Sequence, residues 1–331
     1  MSKKYNVYGI GNALVDLEFQ VDLDFLKEHE VKKGLMTLVD EDTQHRLISA
    51  INHNDTKKKS GGSAANTVIA ISQFGGKAFY SCKVASDEFG DFYLKDMEDA
   101  GIPTNFDRQD REEGVTGKCL VMITDDADRT MNTYLGISSG LSKNEVDERA
   151  IKDSEYVYLE GYLVAAAGGL EALKHTKKIA EENNIKTALT LSDPSIVEAF
   201  KDNFREVIGA SVDLLFCNEQ EAKAFTEKED LMEAREALKQ EAKRFVITQG
   251  KNGAMIYDGD TFIDIEPYEV NAVDTNGAGD MFAGAFLYGV TNGLGFANSG
   301  KLASLAGSKI VSQYGPRLKW HEVQELLHEL K

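Results

Sequence analysis

Cysteine, proline, basic charge and long apolar runs are all scarce in this sequence, and each shortage closes off a class of protein. The three cysteines, Cys82, Cys119 and Cys217, are widely spaced and form no C-x-x-C pair, which argues against a disulfide framework and fits a reducing cytoplasm. Only four prolines occur, and no low-complexity tract or fixed-period repeat marks a linker between domains. No apolar stretch approaches ~18 residues, and the opening Met-Ser-Lys-Lys leads into a short mixed segment, so neither a membrane span nor a signal peptide is expected. Lys plus Arg number 37 against 55 Asp plus Glu, a net charge of −18 that disfavours nucleic acid or an anionic membrane as the main partner. A small anionic ligand stays compatible, because a local cluster of amides outweighs a distant mean field. At 331 residues the chain is long enough for two domains or for one large α/β domain with an insertion.

What the sequence does have is a run of small residues over 274–285, reading Asp-Thr-Asn-Gly-Ala-Gly-Asp-Met-Phe-Ala-Gly-Ala. Gly277, Ala278 and Gly279 stand directly before Asp280 and a series of helix formers. Backbone N–H groups therefore converge in front of a helix N-terminus, where unpaired amides and the helix dipole bind anions. Asp280 is placed to reach whatever attacks that anion, so the stretch reads as a phosphoryl-transfer centre. On local pattern alone it reads equally as a glycine-rich turn into a helix whose first-turn acid complements the dipole. No Lys-Ser or Lys-Thr follows the glycines, which excludes a Walker A loop. The dinucleotide fingerprint fails as well, because its third glycine position holds Phe282.

Upstream, residues 5–10 predict a strand. After Gly11, Val15, Leu17, Phe19 and Val21 alternate with Asp16, Glu18, Gln20 and Asp22, the period of a half-buried second strand. Asn12 and Asp16 lie where one strand gives way to the next; they are either a solvated strand end or an amide and a carboxylate offered to ligand hydroxyls. Helices are predicted over 24–29 and 41–51 and an extended segment over 35–39, while Lys57-Lys58-Lys59 reads as a solvated loop. Ser60-Gly61-Gly62-Ser63 then opens a helix running to Phe74, with Asn66 in its first turn and Gly75-Gly76 at its end. The glycine pair permits close approach by a ligand. A strand-like segment at 80–85 precedes a helix whose stripe of Phe89, Phe92, Tyr93 and Met97 is core. From 104 to about 137 the helical period disappears and the chain turns at 125–128, reading as a small β insertion. Together with about 14–39 it would form a lid over the main sheet, and Arg129 in its turn would contribute a mobile positive charge.

From residue 156 short apolar runs at 156–159, 187–191, 212–216 and 245–248 alternate with helical stretches such as 169–183, which predicts a parallel sheet covered on both faces. Ligands of such sheets bind beyond the carboxyl ends of the strands. Three polar signals fall there: Asp193-Pro194, Asn218-x-x-Glu221 and Thr248-Gln249-Gly250. Asn218 and Glu221 read either as a helix-capping box or as a site where Glu221 holds Mg²⁺ directly or through water. Thr248 and Gly250 read as a plain strand end or as a hydroxyl and an open backbone for a nucleotide. Two long helices parted near 293–295 and a short closing helix from Trp320 complete the chain.

Taken in order, Gly61-Gly62-Ser-Ala-Ala-Asn66, Asn218-x-x-Glu221, Thr248-Gln-Gly250 and Asp274-Thr-Asn-Gly-Ala-Gly-Asp280 resemble the ribokinase-like (PfkB) superfamily of small-molecule kinases, over nearly the whole chain. Gly11-Asn12-Ala-Leu14-Val-Asp16 and Glu160-Gly161-Tyr162-Leu163 resemble its adenosine kinase branch most. The resemblance implies one domain over 1–331, a three-layer α/β/α sandwich with a mostly parallel central sheet and a small β lid. It also implies transfer of the γ-phosphoryl of ATP to a primary hydroxyl. Carried over, Asp280 is the base, the amides of Gly277, Ala278, Gly279 and Asp280 form the anion hole, and Arg129 closes from the lid onto the transferred phosphoryl. Asn12, Asp16, Gly61, Gly62 and Asn66 hold sugar hydroxyls and Tyr162 packs on the purine. Asn218 and Glu221 belong to the Mg²⁺ and phosphate network, and Thr248 and Gly250 to the nucleotide. An aspartate of ordinary pKa, ~4, would take its proton late. Thr190 stands where these kinases usually carry Asn, which puts one phosphate contact in question. The resemblance also admits a monovalent cation near Asp274 and either a monomer or a homodimer. Acceptors to be distinguished are adenosine and free sugars such as ribose or fructose; a non-catalytic ligand-binding protein on the same scaffold is the third reading.

Overall fold

The computed structural model describes residues 3–34, 36–51, 57–106, 111–125 and 129–329. The chain begins in a large sheet with β1 (Tyr5–Ile10), then crosses to a small sheet for β2 (Leu14–Gln20), α1 (Leu23–Glu28), β3 (Met36–Leu38), α2 (Glu41–Ala50) and β4 (Lys57–Gly61). It returns through α3 (Ser63–Gln73), β5 (Ala78–Ser81) and α4 (Glu88–Asp99), and visits the small sheet again for β6 (Thr116–Ile123) and β7 (Arg129–Gly136). After α5 (Glu148–Lys152), strand and helix alternate: β8 (Ser154–Leu159), α6 (Ala167–Glu182), β9 (Lys186–Thr190), α7 (Pro194–Ile208), β10 (Leu214–Asn218), α8 (Glu219–Thr226), α9 (Leu231–Leu238) and β11 (Phe245–Thr248). The hairpin β12 (Ala254–Tyr257) and β13 (Phe262–Ile265) leads to α10 (Ala278–Thr291), α11 (Gly295–Val311) and α12 (Trp320–Glu329).

The large sheet runs β13-β12-β11-β10-β9-β8-β1-β5, parallel from β5 to β11 and antiparallel at β12 and β13. Its strands are the short apolar runs of the sequence, and they alternate strictly. Val7, Tyr158, Phe216 and Val246 join the core shared with α3, α10 and α11, whereas Tyr8, Val157, Leu215 and Ile247 join the core of α5 to α9 on the opposite face. The first of these cores continues into the small sheet through Val15, Leu17, Leu120 and Met122. The small sheet has the order β3-β7-β6-β2-β4.

Three local expectations need correction. Lys57 to Lys59 are not a loop: they form β4, antiparallel to β2, with Lys57 opposite Glu18 and Lys59 opposite Asp16. Opposite charges across a strand pair stabilise that register. The strand expected over 80–85 ends at Ser81, and the β12–β13 hairpin was not anticipated. Leu35, at the start of the extended segment, and residues 126–128 of the predicted turn lie outside the described residues. Among the described residues, no helix is long and apolar enough to cross a membrane.

Among the described residues, seven α-helices begin at a side-chain cap. Asp22, Asp40, Asp87, Asp147, Asp193, Asn218 and Asp230 each cap a helix by accepting a backbone N–H. The caps of α3 and α10 are instead Gly62 and Gly277, with no side-chain cap. These two helices pack closely, because a Cβ on Gly284 of α10 would lie 2.6 Å from Ala70 Cβ and 2.7 Å from Thr67 O of α3. Their glycine-capped ends are thereby brought to one place.

Candidate active site

A cavity of about 460 Å³ opens at the carboxyl ends of β1, β8, β9, β10 and β11 and beneath the small sheet, a size ordinary for small-molecule sites. Asn12, Asp16, Gly62, Asn66, Tyr162, Asn218, Glu221, Thr248, Gly277, Ala278, Gly279 and Asp280 all line it. The structure thus gathers twelve residues proposed from sequence, drawn from both ends of the chain.

At the α10 end, Asp280 Oδ1 accepts a hydrogen bond from Ser63 Oγ at 2.6 Å and Oδ2 one from Asn66 Nδ2 at 3.1 Å. Burial raises its carboxyl to about 6, against the pull of those two bonds. This corrects the expectation of an ordinary value near 4. A carboxylate raised in this way is better matched to proton transfer at neutral pH than an exposed aspartate. Ala278 N–H bonds Thr275 O and Met281 N–H bonds Gly277 O; among the described residues, the amides of Gly279 and Asp280 between them have no recorded acceptor. Gly277 sits at φ 75°, where a side chain would also meet Pro316 Cβ at 2.7 Å, so glycine is required there.

The α3 end is already occupied. Glu160 Oε2 accepts Ala64 N–H at 2.8 Å, and Glu160 Oε1 accepts both Asn12 N–H at 3.0 Å and Asn12 Nδ2 at 2.9 Å. This buried carboxylate, pushed up to about 7 by burial, serves as the anion at the α3 N-terminus and locks Asn12 in place. Sequence reasoning quoted Glu160 without giving it a task, and Ser63 likewise.

Asp16 lies beside Gly61, whose absent Cβ would sit 2.4 Å from Asp16 Oδ2; Gly61 supplies room rather than a lining surface. Burial raises Asp16 to about 7, opposed by Arg317 and Lys59. Tyr162 enters the cavity from the turn after β8, its hydroxyl held well above the usual range by burial and by the neighbouring Asp193 and Asp280.

On the far side, the capping box forms: Asn218 N–H and Nδ2 donate to Glu221 Oε2 and Oε1 at 2.9 and 2.7 Å, and Glu221 N–H donates to Asn218 Oδ1 at 2.8 Å. Glu221 is raised to about 7 by burial and by Asp193, which lines the same cavity. Each Glu221 oxygen keeps a second lone pair. Two neighbouring carboxylates on a cavity wall are a donor set that a partly hydrated Mg²⁺ fits. Thr190 also lines the cavity, its Oγ1 accepting Ser192 N–H at 3.2 Å.

Besides Gly61, two further expected members stand outside. Gly250 opens a short turn beyond the cavity wall, with open space where its side chain would be. Arg129 is not in a turn and does not line the cavity: it begins β7 and is buried between Glu18 at 3.7 Å and Asp274 at 3.1 Å. Two acids hold the guanidinium, so it is not the mobile charge anticipated.

The model of the pfkB family of carbohydrate kinases matches residues 33–322. The adenosine kinase of Sinorhizobium meliloti is 33% identical in a solved structure, over 98% of this chain and 99% of that one, with a TM-score of 0.88. A probable sugar kinase of Rhizobium etli CFN 42 is 31% identical over 99% and 100%, with a TM-score of 0.89. By sequence, the adenosine kinase of Saccharomyces cerevisiae is 26% identical over 93% of this chain and 95% of its own length. With a glycine-capped helix that carries Asp280 in its first turn on the cavity wall, and a family match over most of its length, the chain belongs to the pfkB family of carbohydrate kinases, phosphotransferases that use an alcohol as acceptor.

Proposed function

We propose that this kinase phosphorylates a nucleoside on its primary 5′-hydroxyl, adenosine first among them, with ATP as donor. The observation that carries the reading is the composition of the acceptor end. Beside the polar pair Asn12 and Asp16, the small sheet presents Leu14, Met36, Leu38, Met131 and Leu135 to the same cavity. Met36 and Leu38 are 41% and 57% exposed, which for large apolar side chains at a cavity mouth signals a surface waiting to be covered. A ribose alone carries hydroxyls all round and gains little from such a wall. A base attached to it would cover that wall, and the Tyr162 ring lines the same cavity. The similarity to adenosine kinases supports the same choice.

In the proposed reaction Asn12 and Asp16 hold the ribose hydroxyls, and Asp280 accepts the proton of the attacking hydroxyl as it bonds to phosphorus. The free amides at the α10 N-terminus stabilise charge on the transferred phosphoryl. Asn218, Glu221 and Thr248 face the nucleotide. Mg²⁺, held by Glu221 through its waters, would neutralise phosphate charge when bound. Residues 1–331 act as one domain with the small sheet as its lid, excluding water as a competing acceptor. A cytoplasmic enzyme of purine salvage is the setting this implies.

A sugar kinase is the second reading, favoured by the similarity to a probable sugar kinase and by a hydroxyl clamp that serves ribose equally. ADP formation measured with no acceptor, adenosine, inosine, ribose and fructose separates the two and also a non-catalytic protein. Adenosine should give the highest kcat/KM. Tyr162→Ala should lower that value about tenfold, by lost aromatic contact plus buried area, and hardly affect ribose. A wild type that prefers either free sugar overturns the nucleoside reading.

A further inference from the structure

The family resemblance admits a monovalent cation beside Asp274, and the surroundings of that residue do not fit one. Asp274 is 6% exposed and stands just ahead of the α10 turn. Its Oδ1 accepts Asn276 N–H at 3.1 Å; its Oδ2 accepts Gly315 N–H at 2.9 Å and lies 3.1 Å from Arg129 Nη2. A monovalent cation is held chiefly by carbonyl oxygens that replace its water. The nearby carbonyl of Val311 already accepts two N–H groups, from Val273 at 2.7 Å and Asp274 at 3.1 Å.

Asp274 is also paired. Lys59 lies 3.8 Å from Glu18, Glu18 lies 3.7 Å from Arg129, and Arg129 lies 3.1 Å from Asp274. Base and acid alternate through these four residues, and Asp16 feels the same Lys59 and Arg129 charges. An added cation at Asp274 would face the guanidinium at close range, with two like charges in a dry seam.

We infer that the Arg129 guanidinium is the built-in counter-cation of Asp274, so that phosphotransfer in this protein needs no monovalent cation. Arg129 is then a positioning residue. Asp274 ties down Asn276 on one side of the α10 turn and Gly315 on the other, and Pro316, next to Gly315, packs against Gly277. Neutralising Asp274 from within fixes the turn whose amides face the transferred phosphoryl. Because Arg129 comes from β7, the same contact fastens the small sheet to that turn.

The test compares KCl, NaCl and tetramethylammonium chloride at one ionic strength, reading both ADP formation and melting temperature. It rests on the kinase activity above, but the melting arm stands without it. Wild-type rates should agree within about twofold across the three salts, with unchanged melting. Arg129→Gln should be slower in tetramethylammonium and should regain about fivefold or more in KCl, with a K⁺-dependent rise in melting temperature absent from wild type. Arg129→Lys, which keeps the charge, should stay indifferent to the salt. A wild type that runs about fivefold faster in K⁺ than in tetramethylammonium overturns the inference, and so does an Arg129→Gln protein whose rate and melting ignore K⁺. If Arg129→Gln does not fold, wild type and Arg129→Lys decide.

Discussion

Ser63 offers the sharpest handle on Asp280 as the proposed base. Its hydroxyl donates to Asp280 at 2.6 Å, and that bond favours the ionised carboxylate, which burial, opposed by that bond and by Asn66, leaves raised to about 6. At that value about nine-tenths of Asp280 is ionised at pH 7 and about one-tenth at pH 5. A hydrogen bond to a charged group is worth about 1.5 to 3 kcal/mol, equivalent to about 1 to 2 pH units. Ser63→Ala should therefore move the titration of Asp280 to about 7 to 8, lower kcat at pH 7 by about two- to tenfold, and leave it near wild type at about pH 9. Asp280→Asn, by contrast, should lose about 10² to 10⁴ at every pH. The assay is kcat from pH 5.5 to 9.5 at saturating ATP and acceptor. Asp16, Glu160 and Glu221 are also raised to about 7, so the acid limb of wild type is composite and the shift between the two proteins is the diagnostic quantity. A Ser63→Ala profile lowered by one constant factor across the whole range would refute the assignment of Asp280 as the base tuned by Ser63.

Glu221→Gln tests the two roles of that carboxylate. Glutamine has one oxygen for the two Asn218 donors, so the variant should lose about 1 to 3 kcal/mol of stability, and its half-maximal rate should need more Mg²⁺. An unchanged Mg²⁺ requirement in a less stable protein would make Glu221 a cap alone. Gly284→Ala inserts a methyl 2.6 Å from Ala70 Cβ, which should destabilise by about 1 to 3 kcal/mol and push α3, with Ser63 and Asn66, away from Asp280. Its kcat should fall more than its KM rises; a lower melting temperature with normal kcat would show that the α3–α10 contact does not set the site.

Much of this was legible because the signals are local. Small residues before Asp280, apolar runs of strand length and the Asn218-to-Glu221 spacing each declare themselves within a few positions, and the α/β sandwich follows from their order. What stayed hidden depends on partners far away in the chain. Glu160 acquires its meaning from Asn12 and Ala64, 148 and 96 positions distant, and nothing beside it predicts that a carboxylate ends up at the N-terminus of α3. Lys57 to Lys59 look solvated until Asp16 and Glu18 lie opposite them. Arg129 looks free until Asp274 arrives from the other end of the sequence. The apolar wall of Leu14, Met36, Leu38, Met131 and Leu135 spans three strands of the small sheet, so no single stretch could announce it.

An acidic protein with Asp16, Glu160, Asp193, Glu221 and Asp280 around one cavity is at first sight a poor receptor for a polyanion such as ATP. The placement of each acid resolves the difficulty. Glu160 is answered by three N–H donors, Asp16 by the nearby Arg317 and Lys59, and Asp193 by the first turn of α7 that it caps. In the proposed reaction Glu221 with Asp193 would offer hard oxygens to a divalent cation travelling with the nucleotide. α10 presents to the cavity a glycine-capped N-terminus whose first amides are not taken by a side chain, and it carries Asp280 in its first turn. In that reaction phosphate is repelled from the acidic parts of the wall and received at the α10 N-terminus, directly beside the proposed base. In the proposed reaction the same carboxylates that hold hydroxyls at the acceptor end also keep the triphosphate from binding there in reverse, so the distribution of negative charge orients the donor as well as activating the acceptor.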